Sequence, residues 1–308
     1  MKVAVVAGGL SHERDVSIRS GRRIAQTLRD EGFNVAEFDL DRTLIAHLKE
    51  FGPDVVWPLV HGSEGEDGSL QDLLTLLGYP FVGAAGASAR LAHHKPSTKA
   101  VVSALGLHTP NSVTLTQGLF RQVGAGTVLA AVTDGLGLPA VVKPAAGGSA
   151  LGVTIVHDAS ELPDAMVTCF SYSDEALIET YTAGTDIAAS VVDLGDGPRV
   201  LPLVEIVTDG EYDFDARYNP GRSEYFVPSR LSAETAEKVS ALAAQVHSEL
   251  GMGELSRVDL IVDDAGTPWV VDVNVAPGMT EMSLFPQAAG SEASSLFAEI
   301  VRAAASSS

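Results

Sequence analysis

Lysine is scarce in this 308-residue chain: Lys2, Lys49, Lys95, Lys99, Lys143 and Lys238 are all there are. Forty acidic residues against twenty lysines and arginines leave a formal charge of −20. Such a surface repels nucleic acid and anionic membrane, so any phosphate site must rest on a few focused cations. No apolar run approaches the roughly 18 residues of a membrane span. Cysteine is reduced to Cys169, which falls in the apolar pattern of an expected helix; an internal disulfide is excluded, a reducing cytoplasm is expected, and Cys169 reads as core. The opening residues, Met1 to Gly9, turn charged too quickly for a signal peptide and are expected to form the first strand. Two nucleotide signatures are missing as well. Without G-x-G-x-x-G a dinucleotide site is not expected, and without G-K-[ST] there is no Walker A loop.

What is present is a 45% apolar chain whose patterning predicts two or three α/β domains. An apolar strand over 3–9 runs into Gly8 and Gly9, and a helical pattern follows through Ile24 and Leu28 to Gly32. Strand patterns at 34–40 and 54–60 come next, the second entering His61-Gly62-Ser63-Glu64-Gly65-Glu66-Asp67-Gly68, with a helix expected over 69–78. Strand, glycine turn and helix, stated twice, describe a doubly wound parallel sheet whose loops open on one edge. Glu13, His61 and Glu66 are therefore expected to be neighbours. His93 and His94 face different ways on a helix and have no ligand partner four residues away, so they do not read as a metal site.

The strand Pro139-Ala140-Val141-Val142-Lys143-Pro144 ends on a lysine. A glycine loop, Ala145 to Val153, connects it to a strand over 153–157, an arrangement that lays backbone N–H groups over phosphates while Lys143 supplies charge. A helix over 162–170 and an apolar strand ending at Glu179-Thr180-Tyr181 follow. The long polar loop from Asp209 to Arg222 has no periodicity of its own and reads as functional or mobile. After a helix over 233–250, two strands carry Arg257-Val258-Asp259 and Asp272-Val273-Asn274, joined by a turn at Asp263-Asp264-Ala265-Gly266. The period of two puts Asp272 and Asn274 on one face. Asp259, Asp272 and Asn274 are thus candidate hard-oxygen ligands for a divalent cation.

Five segments taken together, H-E-R-D-V-S at 12–17, H-G-S-E-G-E-D-G at 61–68, V-V-K-P-A-A-G-G-S-A-L-G-V at 141–153, R-V-D at 257–259 and N-V-A-P-G-M-T at 274–280, resemble the D-alanine–D-alanine ligases of the ATP-grasp superfamily. The resemblance covers nearly the whole chain in order. It implies an α/β (α+β overall) ATP-grasp fold with an N-terminal doubly wound domain at 1–92, a central subdomain at 93–182 and a C-terminal catalytic domain at 183–308. ATP would lie between the last two. Lys95 and Lys143 would meet its phosphates under the loop 148–152, which carries Gly148, Ser149 and Gly152. Glu179, Thr180, Tyr181 and Thr182 would surround adenine, Asp186 would hold the ribose, and Arg217 would join the nucleotide-binding set. Asp259, Asp272 and Asn274 would carry two magnesium ions, with manganese as a substitute. Arg257 and Gly278 would stabilise the tetrahedral intermediate. Glu13 would face the ammonium of the first D-alanine and connect through Ser149 to Tyr218, while Ser283 and Leu284 would receive the second carboxylate.

The activity implied is ATP- and magnesium-dependent joining of two D-alanines through an acyl phosphate, for peptidoglycan precursor synthesis, by a cytoplasmic homodimer with no nucleic-acid or membrane partner. The alternatives are an amino-acid ligase of specialised (antibiotic) metabolism on the same scaffold and a non-catalytic ATP-binding relative. The departures from the family pattern motivate them. Ser149-Ala150 stands where two serines are usual, Asp186 and Asp272 stand where glutamates are usual, Val275-Ala276 replaces Thr-Ser, and His93-His94 replaces Met-Asp.

Overall fold

The computed structural model describes residues 1–208, 210 and 221–306. Strand β1 (Lys2–Ala7) lies between β2 (Asn34–Asp39) and β3 (Val55–Pro58), parallel to both. Parallel neighbours need a crossover, supplied by the helices Arg14–Asp30 and Leu44–Phe51. All three strands consequently end on one edge, and the loops that follow β1 and β3 leave from it side by side. The expected glycine-rich loop after β3 contains one helical turn, Ser63–Glu66. A side chain at Gly65 could not fit there, because its Cβ would lie 1.9 Å from the Val60 carbonyl oxygen.

A second, antiparallel sheet has the order β4 (Ser112–Thr116), β7 (Glu175–Thr180), β5 (Ala140–Pro144), β6 (Thr154–Val156). The glycine loop is topologically the hairpin connection between β5 and β6, which pair Ala140 with Val156 and Val142 with Thr154. The helix Leu162–Phe170 packs behind this sheet and buries Cys169 completely, so that desolvation pushes its thiol up to about 12. Cys169 is core, as its pattern predicts.

The third sheet runs β11 (Ser223–Phe226), β10 (Val204–Thr208), β8 (Thr185–Asp193), β12 (Leu255–Val262), β13 (Pro268–Asn274), with β9 (Pro198–Val200) on β8. The turn at 263–266 joins β12 to β13 as expected, Gly266 taking φ +76°. Register places Arg257 opposite Asn274 and Asp259 opposite Asp272, after which Leu260 pairs with Val270. Val271 is thus the extra residue of a β-bulge, and its carbonyl is free to turn elsewhere.

Two cores flank this sheet. One, with Val239, Ala243 and Val246, belongs to the helix Ala233–Leu250. The other is shared with the first sheet: the closing helix Ala293–Ser306 brings Phe297 edge-on to Trp57 at 5.9 Å, and Val3, Val5 and Ile24 join Ala188 and Phe285 in one apolar cluster. The first and third sheets are therefore held rigidly together by continuous burial. The helices Gly86–His93, Gln117–Val123 and Ala125–Leu136 are not anticipated by the sequence reading. Short apolar spacing and internal glycine give them weak periodicity, and packing rather than propensity fixes them.

Candidate active site

Between the second and third sheets opens a cleft of ≈ 380 Å³. Its walls are apolar at Val141, Ile155 and Ile187 and polar at Lys95, Lys143 and Glu179. Thr180, Tyr181, Thr182 and Asp186 also line it, as do Asp259 and Asp272. An aliphatic slot with charge at one end suits a flat ring carrying a polyanionic tail.

The charged end is built by buried lysines. Lys95 begins the helix Lys95–Ala104, and its ammonium donates to the Gly147 carbonyl at 2.7 Å and sits 3.2 Å from Asp272 Oδ1. Its own backbone N–H donates to the Ala145 carbonyl, so the root of the glycine loop is tied to this helix. Lys143, at the end of β5, donates to Glu179 Oε1 at 2.5 Å and to the Val271 carbonyl released by the bulge at 3.1 Å. On the other oxygen of Glu179 lies Lys99, at 2.8 Å. Burial would raise the Glu179 pKa, but the two lysines hold the carboxyl below its usual value.

The glycine loop divides its residues between two spaces. Gly148 reaches both the cleft and a second, smaller pocket of ≈ 50 Å³. Ser149 lines the small pocket rather than the cleft and donates its hydroxyl to Glu13 Oε1. Gly152 lines neither; a Cβ there would fall 2.7 Å from the Tyr172 ring and 3.0 Å from Pro144. Ser149 and Ala150 both adopt left-handed φ values, 54° and 57°, a conformation that costs about 1–3 kcal/mol per residue when it is not glycine. The bond from Ser149 to Glu13 is part of what holds the loop in that shape.

The small pocket joins the first and third sheets. Glu13, His61 and Glu66 face Arg257, Asn274, Gly278 and Ser283 across it, and Leu284 closes the floor. Glu13 is the N-cap residue of the first helix but makes no side-chain cap bond; its carboxylate turns into the pocket. Burial and the neighbouring Glu66 push its pKa up, against Ser149, His61 and Lys95. Glu66 behaves oppositely. Burial would raise it, yet His61 and His93, at 3.8 and 3.7 Å, hold it down to about 2. The first helix also fixes the far wall. Ser20 accepts from the Met279 N–H at 3.1 Å, and Arg23 donates to the carbonyls of Met279 and Thr280. Ser283 Oγ accepts from the Thr280 N–H at 3.0 Å.

Arg257 and Asp259 share one side of β12 and form a two-point ion pair at 2.6 and 2.8 Å. Asn274 Nδ2 donates to Asp259 Oδ2 at 3.1 Å. Asp259 and Asp272 open on the cleft, Asn274 on the small pocket. Among the described residues no cluster of three His, Cys, Asp or Glu side chains could hold a metal; the candidate set is two carboxylates and an amide. Those donors fit magnesium or manganese nonetheless. All are hard oxygens once the Asn274 amide turns its Oδ1 inward, and the carboxylates are now neutralised by Arg257 and Lys95, the role a cation would take.

The structure thus brings together the expected Glu13, His61, Glu66, Ser149, Arg257, Gly278, Ser283 and Leu284 on one side of Gly148, and the expected lysines, Glu179 to Thr182, Asp186, Asp259 and Asp272 on the other. Arg217 and Tyr218 lie outside the described residues. His93 and His94 separate as expected, the first beside Glu66 and the second bonded to Ser97 and Glu175. Lys99 and Arg23 are the residues the sequence reading misses. The signal for Lys99 was its place one helical turn after Lys95: like charges on one face repel unless each has a partner elsewhere.

Comparison with known proteins finds similar chains along most of the sequence. Residues 45–84 match the family model described as D-ala D-ala ligase N-terminus, and residues 101–302 match that described as D-ala D-ala ligase C-terminus. The D-alanine–D-alanine ligase of Moorella thermoacetica is 40% identical over 291 residues, 94% of this chain and 93% of its own. That of Desulforudis audaxviator is 37% identical over 292 residues, 94% of this chain and 92% of its own. Among solved structures, the Bacillus anthracis D-alanine–D-alanine ligase superposes with a TM-score of 0.83 at 31% identity, covering 99% of this chain and 97% of that one. The same ligase complexed with ATP gives 0.79 at 30% identity, covering 99% and 96%.

Proposed function

The chain belongs to the D-alanine–D-alanine ligase family, and we propose on that premise that it joins two D-alanines at the expense of ATP, supplying a peptidoglycan precursor. The observation that carries the reading is the meeting of two unlike pockets at Gly148. One suits a nucleotide; the other suits small zwitterions.

A carboxylate is a poor acyl donor because its charge opposes the nucleophile. Its oxygen therefore attacks the γ-phosphorus of ATP, the bond to ADP breaks, and an acyl phosphate forms. The amine of the second D-alanine then adds to that carbonyl, phosphate leaves with the C–O bonding pair, and the amine's proton is lost. Lys95 and Lys143 neutralise the phosphates in the cleft. Arg257 faces the small pocket and offers its guanidinium to the oxyanion of the tetrahedral intermediate, with the Gly278 backbone beside it. Glu13 takes the ammonium of the first D-alanine, whose positive charge replaces the Ser149 hydroxyl as the force keeping it ionised. Ser283 and Leu284 accept the second substrate.

Magnesium, or manganese in its place, would be held by Asp259, Asp272 and Asn274 and would supply charge neutralisation to the transferring phosphoryl group. At 272 the side chain is one methylene shorter than the family's usual glutamate, and it follows the bulged Val271 on its strand. The three-part division at 1–92, 93–182 and 183–308 is supported by the three sheets, each confined to one part. A cytoplasmic homodimer is our reading of oligomer and location, the location supported by the single cysteine and the family and the dimer by the family; no helix among the described residues is long and apolar enough to cross a membrane.

The test is phosphate release from ATP with purified protein. D-Alanine is expected to stimulate it strongly, L-alanine not at all, and D-serine or D-lactate weakly, with D-alanyl-D-alanine identified by mass. A preference for D-serine or D-lactate as second substrate would move the protein to specialised metabolism, and no stimulation by any of them would leave a nucleotide-binding relative.

A further inference from the structure

Glu179 is a buried carboxylate, 3% exposed, with a lysine on each oxygen: Lys143 at 2.5 Å and Lys99 at 2.8 Å. Three charges in so small a volume leave a net single positive charge, and burial makes each uncompensated one costly. The two lysines are not equivalent. Among the described residues that wall the cleft are Lys143 and Glu179 but not Lys99. Lys99 stands behind the wall, 7% exposed, and its ammonium has a second fixed partner in Thr109 Oγ1 at 2.8 Å. Thr109 in turn donates to the Val270 carbonyl at 2.9 Å, on the strand that carries Asp272. Each lysine has a second fixed partner, the Val271 carbonyl for Lys143 and Thr109 for Lys99, but of the two only Lys143 lines the cleft.

A phosphate in the cleft asks Lys143 to turn from Glu179 towards the new anion. Were Glu179 paired with Lys143 alone, that turn would strand a buried carboxylate beside a polyanion, and the carboxylate would pull the lysine back. With Lys99 in place Glu179 keeps a full counter-charge throughout. Resting on the ligase reading, we propose that Lys99 is a positioning residue for nucleotide binding: it holds Glu179 from behind and so frees the Lys143 ammonium for the phosphates of ATP. Burial pulls the Lys99 pKa down while Glu179 opposes that pull, which is the energetic signature of a lysine whose charge depends on this one carboxylate. The lysine thereby sets ATP affinity from behind the cleft wall.

The experiment measures binding of a non-hydrolysable ATP analogue by calorimetry alongside the KM for D-alanine. Lys99→Met is expected to weaken the analogue by roughly ten-fold or more, as loss of one partner from a buried charge group does, while the D-alanine KM changes by less than about two-fold. Lys99→Arg, which keeps the charge, is expected to bind near the wild-type level. The decisive arm is Lys99→Met made in a Glu179→Gln background. Glu179 itself lines the cleft, so the double variant is compared with Glu179→Gln: with no carboxylate left to hold Lys143, losing Lys99 is expected to weaken the analogue far less there than in wild type. A purely structural lysine would cost the same in both backgrounds. Unchanged affinity in Lys99→Met, an Arg variant as weak as the Met variant, or an equal cost of Lys99→Met in the two backgrounds each overturns the proposal. If Lys99→Met fails to fold, Lys99→Gln is read by the same criteria. Analogue binding needs no turnover. Wild-type protein that binds the analogue but makes no D-alanyl-D-alanine would therefore refute the ligase reading while leaving the role of Lys99 open to this same measurement.

Discussion

The cleft and the small pocket solve opposite electrostatic problems with the same few residue types. In the cleft, acids are neutralised by lysines: Glu179 by Lys99 and Lys143, Asp272 by Lys95. Half of the chain's six lysines serve this end of the cleft, Lys95 and Lys143 from its wall and Lys99 from behind it, against the lining carboxylates Glu179, Asp186, Asp259 and Asp272. In the small pocket two carboxylates, Glu13 and Glu66, lie close enough to repel, and their surroundings push them in opposite directions. On the proposed reading the cleft receives an anion as its ammoniums turn to the phosphates, while in the small pocket Glu13 meets a cation and Arg257 an oxyanion. A ligand of a few heavy atoms needs a cavity shaped by fixed loops, as Arg23 and Ser20 fix 279–280.

The largest expected effect falls where the two spaces share a strand. Arg257→Met removes the proposed oxyanion partner and leaves Asp259 without its two-point ion pair. Turnover is expected to drop by roughly 10²–10³-fold, the cost of one lost oxyanion donor, and thermal unfolding is expected to fall with it. Because Asp259 is itself a proposed metal ligand, Arg257→Met/Asp259→Asn is read for stability alone, which should return since no lone charge remains. Unfolding as low in the double variant as in Arg257→Met would show that the unpaired Asp259 is not what destabilises it.

Lys143→Ala is expected to act on the cleft alone, weakening ATP binding by about 2 kcal/mol through loss of a charged contact. Lys99 remains to neutralise Glu179, so the fold should be intact by circular dichroism and the D-alanine KM nearly unchanged. An equal loss in ATP and D-alanine affinity would mean that the two pockets are not separable in the way their walls suggest.

The two spaces also differ in how far the sequence discloses them. Lys143, the glycine loop and Asp272-x-Asn274 are legible because each sits where an apolar strand ends, and strand ends of a sheet are where ligands meet backbone. That Asp259 and Asp272 lie on neighbouring strands follows from the turn between them; their direct opposition does not, because it needs the bulge at Val271. The small pocket requires knowledge that the loops after β1 and β3 share an edge, which the repeated strand-turn-helix pattern supplies for Glu13, His61 and Glu66. What stays hidden is what tertiary contact alone decides. The partners of Lys99 lie 10 and 80 residues away in sequence, the bulge at Val271 is set by register, and the clamp of Arg23 on the Met279 and Thr280 carbonyls spans more than 250 residues. The helices at 86–93 and 117–136 escape for a plainer reason, since small residues blur the period that would announce them.

The smallest expected effect is a difference in slope, and it bears directly on the contrast inside the small pocket. Glu66 is held well below its ordinary value of 4.5, to about 2, because the attraction of His61 and His93 outweighs its burial. A depressed acid contributes stability that is present above its unfolded pKa and is lost as pH falls from there through the folded value. Glu13 is raised, by burial first and then by Glu66. A raised acid contributes stability that is present below its unfolded pKa and is lost as pH rises through the folded value. Urea unfolding of wild type, Glu66→Gln and Glu13→Gln between about pH 3.5 and 7, which takes in the upper part of the Glu66 window and the range above the ordinary Glu13 value, therefore gives difference curves of opposite sign. Wild type should lose its advantage over Glu66→Gln as pH drops, and Glu13→Gln should gain on wild type as pH rises. Neither slope can exceed about 1.4 kcal/mol per pH unit, the ceiling for one proton. In Glu66→Gln the Glu13 slope should shrink too, because Glu66 is one of the forces raising it. Parallel curves would mean that the two carboxylates titrate alike and that the small pocket holds no preset charge for an ammonium to find.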